Sequence, residues 1–274
     1  MLLPDIPICP MCTLRKPVVE SHLIPSCLYD HTYEGDDGPM RIGDGVIIPG
    51  GREVKAPLFC LDCEDILNSG GEAWVGPKLG WVGRFPLFDM ARKCSGYFTE
   101  DGVQGLYYAA SNPEIDVEKL THFALGIFWR AGVHSWKKNK DEPMIDLGEF
   151  GEPIRLWLRG EAPFPKNVAL HISLSRPELA QIVHGFPGEV LGHTRGPFRL
   201  YWLHLLGVLF TLSVGEGLTD IEGELCFYQN PAHPFTVADN VSLEIKKKYL
   251  GEFMEARQTQ AYLNYKEERN KKRS

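Results

Sequence analysis

Two Cys-x-x-Cys pairs, Cys9-Pro-Met-Cys12 and Cys60-Leu-Asp-Cys63, are separated by 47 residues. Each pair folds into a tight knuckle that spans one edge of a tetrahedron, so two pairs supply four thiolates to a single zinc ion. One pair alone is shared with redox motifs. Two pairs, with apolar Ile8, Leu58 and Phe59 close by, point to a structural zinc site on Cys9, Cys12, Cys60 and Cys63. The other readings of these residues are unpaired buried thiols or a redox dithiol or disulfide.

The elements needed to hold such a site are legible around it. The second knuckle runs directly into Glu64-Asp-Ile-Leu-Asn68, where acidic residues in a first helical turn suit the positive end of the helix dipole. Ser21-His22-Leu23-Ile24-Pro25 stands where a hairpin strand is required between the knuckles. Knuckle, hairpin, knuckle and helix in that order make a treble-clef arrangement. Over about residues 8 to 75 this order resembles the HNH (His-Me finger) nucleases.

The resemblance implies that His22 is the general base that activates water. It also implies that Glu20 and Glu64 are the carboxylates available to hold a catalytic Mg²⁺ or Mn²⁺, an ion that favours oxygen ligands. The sequence departs from the family at three positions. Ser21 precedes the histidine, Lys55 lies near the place of the family's Asn, and Glu64 replaces its last His.

The composition is that of an ordinary globular chain, 43% apolar and 24% charged, with 274 residues available for a packed core. Seven cysteines without a recognisable signal peptide imply a reducing, cytoplasmic setting. The most apolar run, residues 200 to 214, is shorter than a bilayer crossing and reads as one or two buried strands. No membrane partner is expected.

Charge is unevenly spread. Residues 1–75 hold 5 Lys/Arg against 12 Asp/Glu, whereas residues 243–274 hold 9 against 5. Nucleic-acid affinity comes largely from neutralised phosphates. Any contact with DNA or RNA is therefore expected through the C-terminal basic segment, with a protein partner as the other option.

Along the chain, Val46-Ile-Ile48 lies between turn signals and predicts a hairpin in the Gly- and Asp-rich insert 27–56. His31, Asp36 and Asp37 there read as turn residues rather than ligands. Residues 74–98 look irregular and aromatic. Residues 105–110 read as a strand, and Ser111-Asn-Pro113 as a helix start. Val117, Leu120, Ala124, Ile127 and Ala131 follow helical spacing. Phe123-x-x-x-Ile127-Phe-Trp-Arg130 on that helix is similar to a stretch in bacterial HNH-like proteins. Trp129 and Arg130 read as a packed indole beside a snorkelling arginine, the alternative being a nucleotide-stacking site.

A short helix closed by Gly160 is expected over Glu152 to Arg159. Strands are expected at Val168–Leu174, Glu189–Gly192, 200–214 and, in part, Glu222–Tyr228, and an amphipathic helix from Ser242. The expected fold is α+β: a treble-clef module over 1–75, then a mixed helix and antiparallel-sheet body over 76–274 with a basic tail. Two functions are compatible with it. One is a metal-dependent nuclease, and the other a catalytically inactive zinc-stabilised binding protein derived from the HNH fold.

Overall fold

A computed structural model describes residues 6–29, 40–43, 46–49, 53–79, 84–99, 104–136, 142–175, 184–189, 198–218 and 220–238, with isolated positions beyond. In chain order these carry β1 (Val19–His22), α1 (Ser26–Tyr29), β2 (Met40–Gly43), β3 (Val46–Pro49), β4 (Lys55–Phe59), α2 (Leu61–Leu67) and α3 (Ala73–Val75). They continue with α4 (Pro86–Ala91), β5 (Gly96–Phe98), β6 (Gln104–Tyr108), α5 (Val117–Val133) and α6 (Gly151–Leu158). The remaining elements are β7 (Val168–Leu174), β8 (His184–Glu189), β9 (Phe198–Leu205), β10 (Val208–Gly215), α7 (Asp220–Leu225) and β11 (Pro234–Ala238). A π-helical segment, Asn68–Glu72, joins α2 to α3. The fold is α+β, and no helix among the described residues is long and apolar enough to cross a membrane.

Helix α5 is the centre of the molecule. Asp116 caps it by accepting from the Lys119 amide at 3.0 Å, a contact typical of an N-cap carboxylate. The helix therefore starts four residues later than the Ser111-Asn-Pro113 signal suggests. Eleven of its residues are buried, all round the helix, as expected for a core helix rather than a surface one. Trp129 stacks on Phe59 of β4 at 5.6 Å, while Phe123 meets Phe210 of β10 at 5.8 Å. One apolar core thus runs from the cysteine knuckles through α5 to the sheet.

The main sheet has seven strands in the order β5-β6-β11-β7-β10-β9-β8. The wholly antiparallel sheet expected from the sequence is corrected by β11, which pairs antiparallel with β6 and parallel with β7. The apolar run from 200 is two strands, β9 and β10. They are joined by Leu206 and Gly207, both at positive φ (47° and 86°), the backbone of a two-residue hairpin turn. The strand expected over Glu222–Tyr228 is instead α7 followed by a turn. Asp220, Glu222 and Glu224 favour a helix start over a strand.

Residues 74–98 hold α3, α4 and β5 rather than an irregular connection. The hairpin around Val46 is present as β2–β3. Gly160, at φ 69°, ends α6 as expected. Strand β8 ends at Glu189, and residues 190–192 lie outside the described residues, as do His31, Asp36, Asp37 and most of the C-terminal segment.

The π segment presses hard on α5. A Cβ added at Gly71 would lie 2.6 Å from both the Lys119 carbonyl oxygen and the Phe123 amide nitrogen. Both are backbone atoms that cannot swing aside. Gly71→Ala is expected to destabilise the protein by about 1–3 kcal/mol, readable as a lower denaturant midpoint with an unchanged slope.

Candidate metal centre and the adjoining pocket

The first knuckle is closed by backbone bonds. The Cys9 amide donates to the Leu14 carbonyl at 2.9 Å and the Thr13 amide to the Cys9 carbonyl at 2.8 Å, with Thr13 at φ 60°. Strands β1 and β4 pair antiparallel, with Val19 opposite Phe59 and His22 opposite Lys55. This register delivers Cys60 beside the first knuckle, where its amide donates to the Cys9 Sγ at 3.4 Å. The second knuckle then enters α2, with Asp62 and Glu64 in the first turn.

The four Sγ atoms of Cys9, Cys12, Cys60 and Cys63 all lie within 4.8 Å of one another. Cys12 and Cys60 are 3.8 Å apart. A tetrahedron with metal–sulfur bonds of about 2.3 Å has edges of about 3.8 Å, whereas a disulfide needs about 2.05 Å. All four cysteines are free, so the donor set and spacing fit a metal such as zinc.

Burial pushes the Cys63 and Cys60 thiols up, and the crowding of neighbouring sulfurs on Cys63 adds to this. Burial acts in the same sense on Cys9, but the backbone amides of Cys12, Cys60 and Met11 outweigh it and hold that thiol low. A cluster of this kind resists collecting four bare negative charges, and a divalent cation removes that resistance.

Helix α6 is tied to the knuckles from 90 or more residues downstream. Arg155 Nη1 donates to the Met11 carbonyl at 2.6 Å, and Arg159 Nη1 approaches Cys63 Sγ at 3.9 Å. Arg159 places positive charge beside a centre that would carry net −2 with Zn²⁺ bound. Nothing in the spacing of the cysteines signals these two arginines.

A pocket of about 240 Å³ opens beside the centre. His22, Pro25 and Ser26 line it from the end of β1 and the start of α1. Glu64, Asp65, Asn68 and Glu72 line it from α2 and the π segment, and Arg130 from α5. His22 and Glu64 are therefore brought together at one pocket. Glu20 is not: it pairs with Lys55 at 2.7 Å on the open side of β1 and does not reach the pocket.

Three features of the pocket were not read from the sequence. Glu53 Oε2 bonds His22 Nε2 at 2.9 Å. The β1–β4 register, which also brings the Leu23 amide to the Val54 carbonyl, could have found that carboxylate. Positions 64, 68 and 72 fall at helical spacing and so share a face. Arg130, expected to snorkel, is instead 1% exposed and paired with Glu72.

Among the described residues, the Oε1 atom of Glu64 and the Nε and Nη1 atoms of Arg130 are buried without a hydrogen-bond partner. A larger cavity of about 530 Å³, between Pro10 and Gly148, gathers no such groups. Its Arg155 is paired with Glu152 and its Asp146 with Arg199. Comparison with protein-family models, curated proteins and solved structures finds no match to this chain.

Proposed function

We propose that this chain is a zinc-stabilised, divalent-metal-dependent nuclease of HNH type. In this reading the N-terminal knuckles, the β1–β4 pair and α2 form a treble clef around a structural Zn²⁺. The observation that carries the proposal is the convergence of His22 and Glu64 on one pocket. Glu53, as acceptor from the Nε2–H of His22, would fix the tautomer and leave Nδ1 to take a proton from water. Charge building on the imidazole would then lie against the Glu53 carboxylate.

The unpartnered Oε1 of Glu64 fits a ligand position for Mg²⁺ or Mn²⁺. Such an ion, when bound, supplies Lewis-acid stabilisation of charge on a phosphate. Asp65 and Asn68 add oxygen donors on the same wall. Glu20 has no role in this site. Contact with DNA or RNA is assigned to the C-terminal basic segment, in keeping with the acidic character of the first 75 residues.

The test is cleavage of single- and double-stranded DNA and RNA in Mg²⁺ or Mn²⁺. Glu64→Gln removes a ligand charge and not the base, so it is expected to raise the divalent concentration needed for half-maximal rate by about tenfold or more. No cleavage of any substrate by the wild-type protein would overturn the reading.

A second reading, an inactive interaction protein on the same fold, is favoured by a specific feature. Ile6, Ile8, Leu14 and Leu61 are 47%, 55%, 54% and 61% exposed around the two knuckles. Exposed apolar residues gathered in one place suit a protein contact.

A further inference from the structure

Arg130 is the least explained residue of the pocket. A guanidinium carries five N–H donors and never loses its charge in a protein. Here Nη2 donates to Glu72, while Nε and Nη1, with three of the five N–H groups, are buried and meet no acceptor among the described residues. The residue is 1% exposed, so bulk water does not solvate them. Buried donors are almost always satisfied by protein, ordered water or a ligand.

The guanidinium is held firmly in place. Glu72 fixes one edge of it from the π segment. Gly70 and Gly71 let that segment lie against His122, Lys119 and Phe123 of the helix that carries Arg130. A rigid, charged, under-bonded fork at the wall of a cavity is a pre-organised anion receptor. Further donors line the same space, the Ser26 hydroxyl and the Asn68 amide. Donors on several walls suit a tetrahedral oxyanion better than a planar carboxylate.

The charge of Glu72 is already matched by Arg130. Glu64 stands eight residues earlier, back along the π segment and α2. The pocket therefore has a carboxylate end suited to a cation and a guanidinium end suited to an anion.

We propose that Arg130 is an anion-binding residue whose ligand is a phosphate group. The assignment deepens the nuclease reading and rests on it for the phosphate being a diester of nucleic acid. The receptor itself stands on the geometry of the guanidinium.

Binding of inorganic phosphate and of dimethyl phosphate to the full chain, measured by calorimetry or by phosphorus NMR, tests it without turnover. Wild type and Glu20→Gln, which changes a residue outside the pocket, are expected to bind alike. Arg130→Lys keeps the charge but loses the fork, and should bind about tenfold more weakly or worse.

Because Arg130 is buried, a second pair of variants is placed on the exposed pocket residue Asn68. Asn68→Glu should weaken phosphate binding and Asn68→Lys should tighten it. Absent binding by wild type, or unchanged binding in both Arg130→Lys and Asn68→Glu, would overturn the proposal. Acetate bound as tightly as phosphate would overturn the choice of ligand. Phosphate binding that depends on Arg130 in a protein that cleaves nothing would support the receptor and defeat only the nuclease reading.

Discussion

Under the nuclease reading, His22→Ala is expected to lower phosphodiester cleavage by about 10²–10⁴-fold, the usual contribution of a positioned general base. Its zinc content and melting temperature should stay close to wild type. The side chain is 23% exposed and its one bond among the described residues is to Glu53, itself 32% exposed. Losing the ring therefore breaks one bond to a partly exposed carboxylate and leaves a gap that water can fill from the open pocket. The two proteins should be assayed side by side on the same substrates. Equal cleavage by both would mean that the activity belongs to a contaminant or to another site. Glu53→Gln should give a smaller loss in rate, because it leaves the imidazole in place and removes only its orienting charge.

The other large effect is metal loss. Cys60→Ser should abolish stable zinc binding, and the apparent binding energy of a structural zinc site, about 10–16 kcal/mol in small zinc modules, is comparable with the whole stability of a domain. Wild-type protein should contain about one zinc per chain and should melt at a markedly lower temperature in excess chelator. Cys60→Ser should already melt there, with no further change on adding chelator. Phe59 is adjacent to Cys60 and stacks on Trp129, so the loss should reach the core and alter tryptophan emission. Metal-free protein of full stability would dismiss the zinc centre.

Residues whose role depends on near neighbours in sequence were readable before the fold was known. The cysteine pairs, the acidic first turn of α2, the apolar spacing of α5 and the Gly160 stop are all local patterns. His22 and Glu64 were found through the order of motifs, and they do share a pocket. The failures have a common cause in long-range contacts. Glu20 and His22 both belong to β1, yet Lys55 across the strand pair engages Glu20 outside the pocket. Arg130 carries no local mark of being buried, because its partner Glu72 is 58 residues away. Strand β11 is five residues long and begins with proline, so its pattern is weak, and its place beside β7 follows from packing that no local signal encodes.

That place for β11 has a consequence for the order in which the protein is made. The strand sits between β6 and β7, and pairs with both. On a growing chain, β5 and β6 emerge early and β7 to β10 follow, but among the described residues no strand pairing links the two groups until residues 234–238 have been synthesised. Until then each half presents an open edge, able to pair with another chain. The parallel pairing of β11 with β7 also closes a loop of about sixty residues, a slow step compared with hairpin formation. A stop codon before Pro234 would thus remove the strand that pairs with both groups and leave the edges of β6 and β7 open. Synthesis of β11, and not completion of the N-terminal knuckles, is the stage at which the two parts of the sheet can pair.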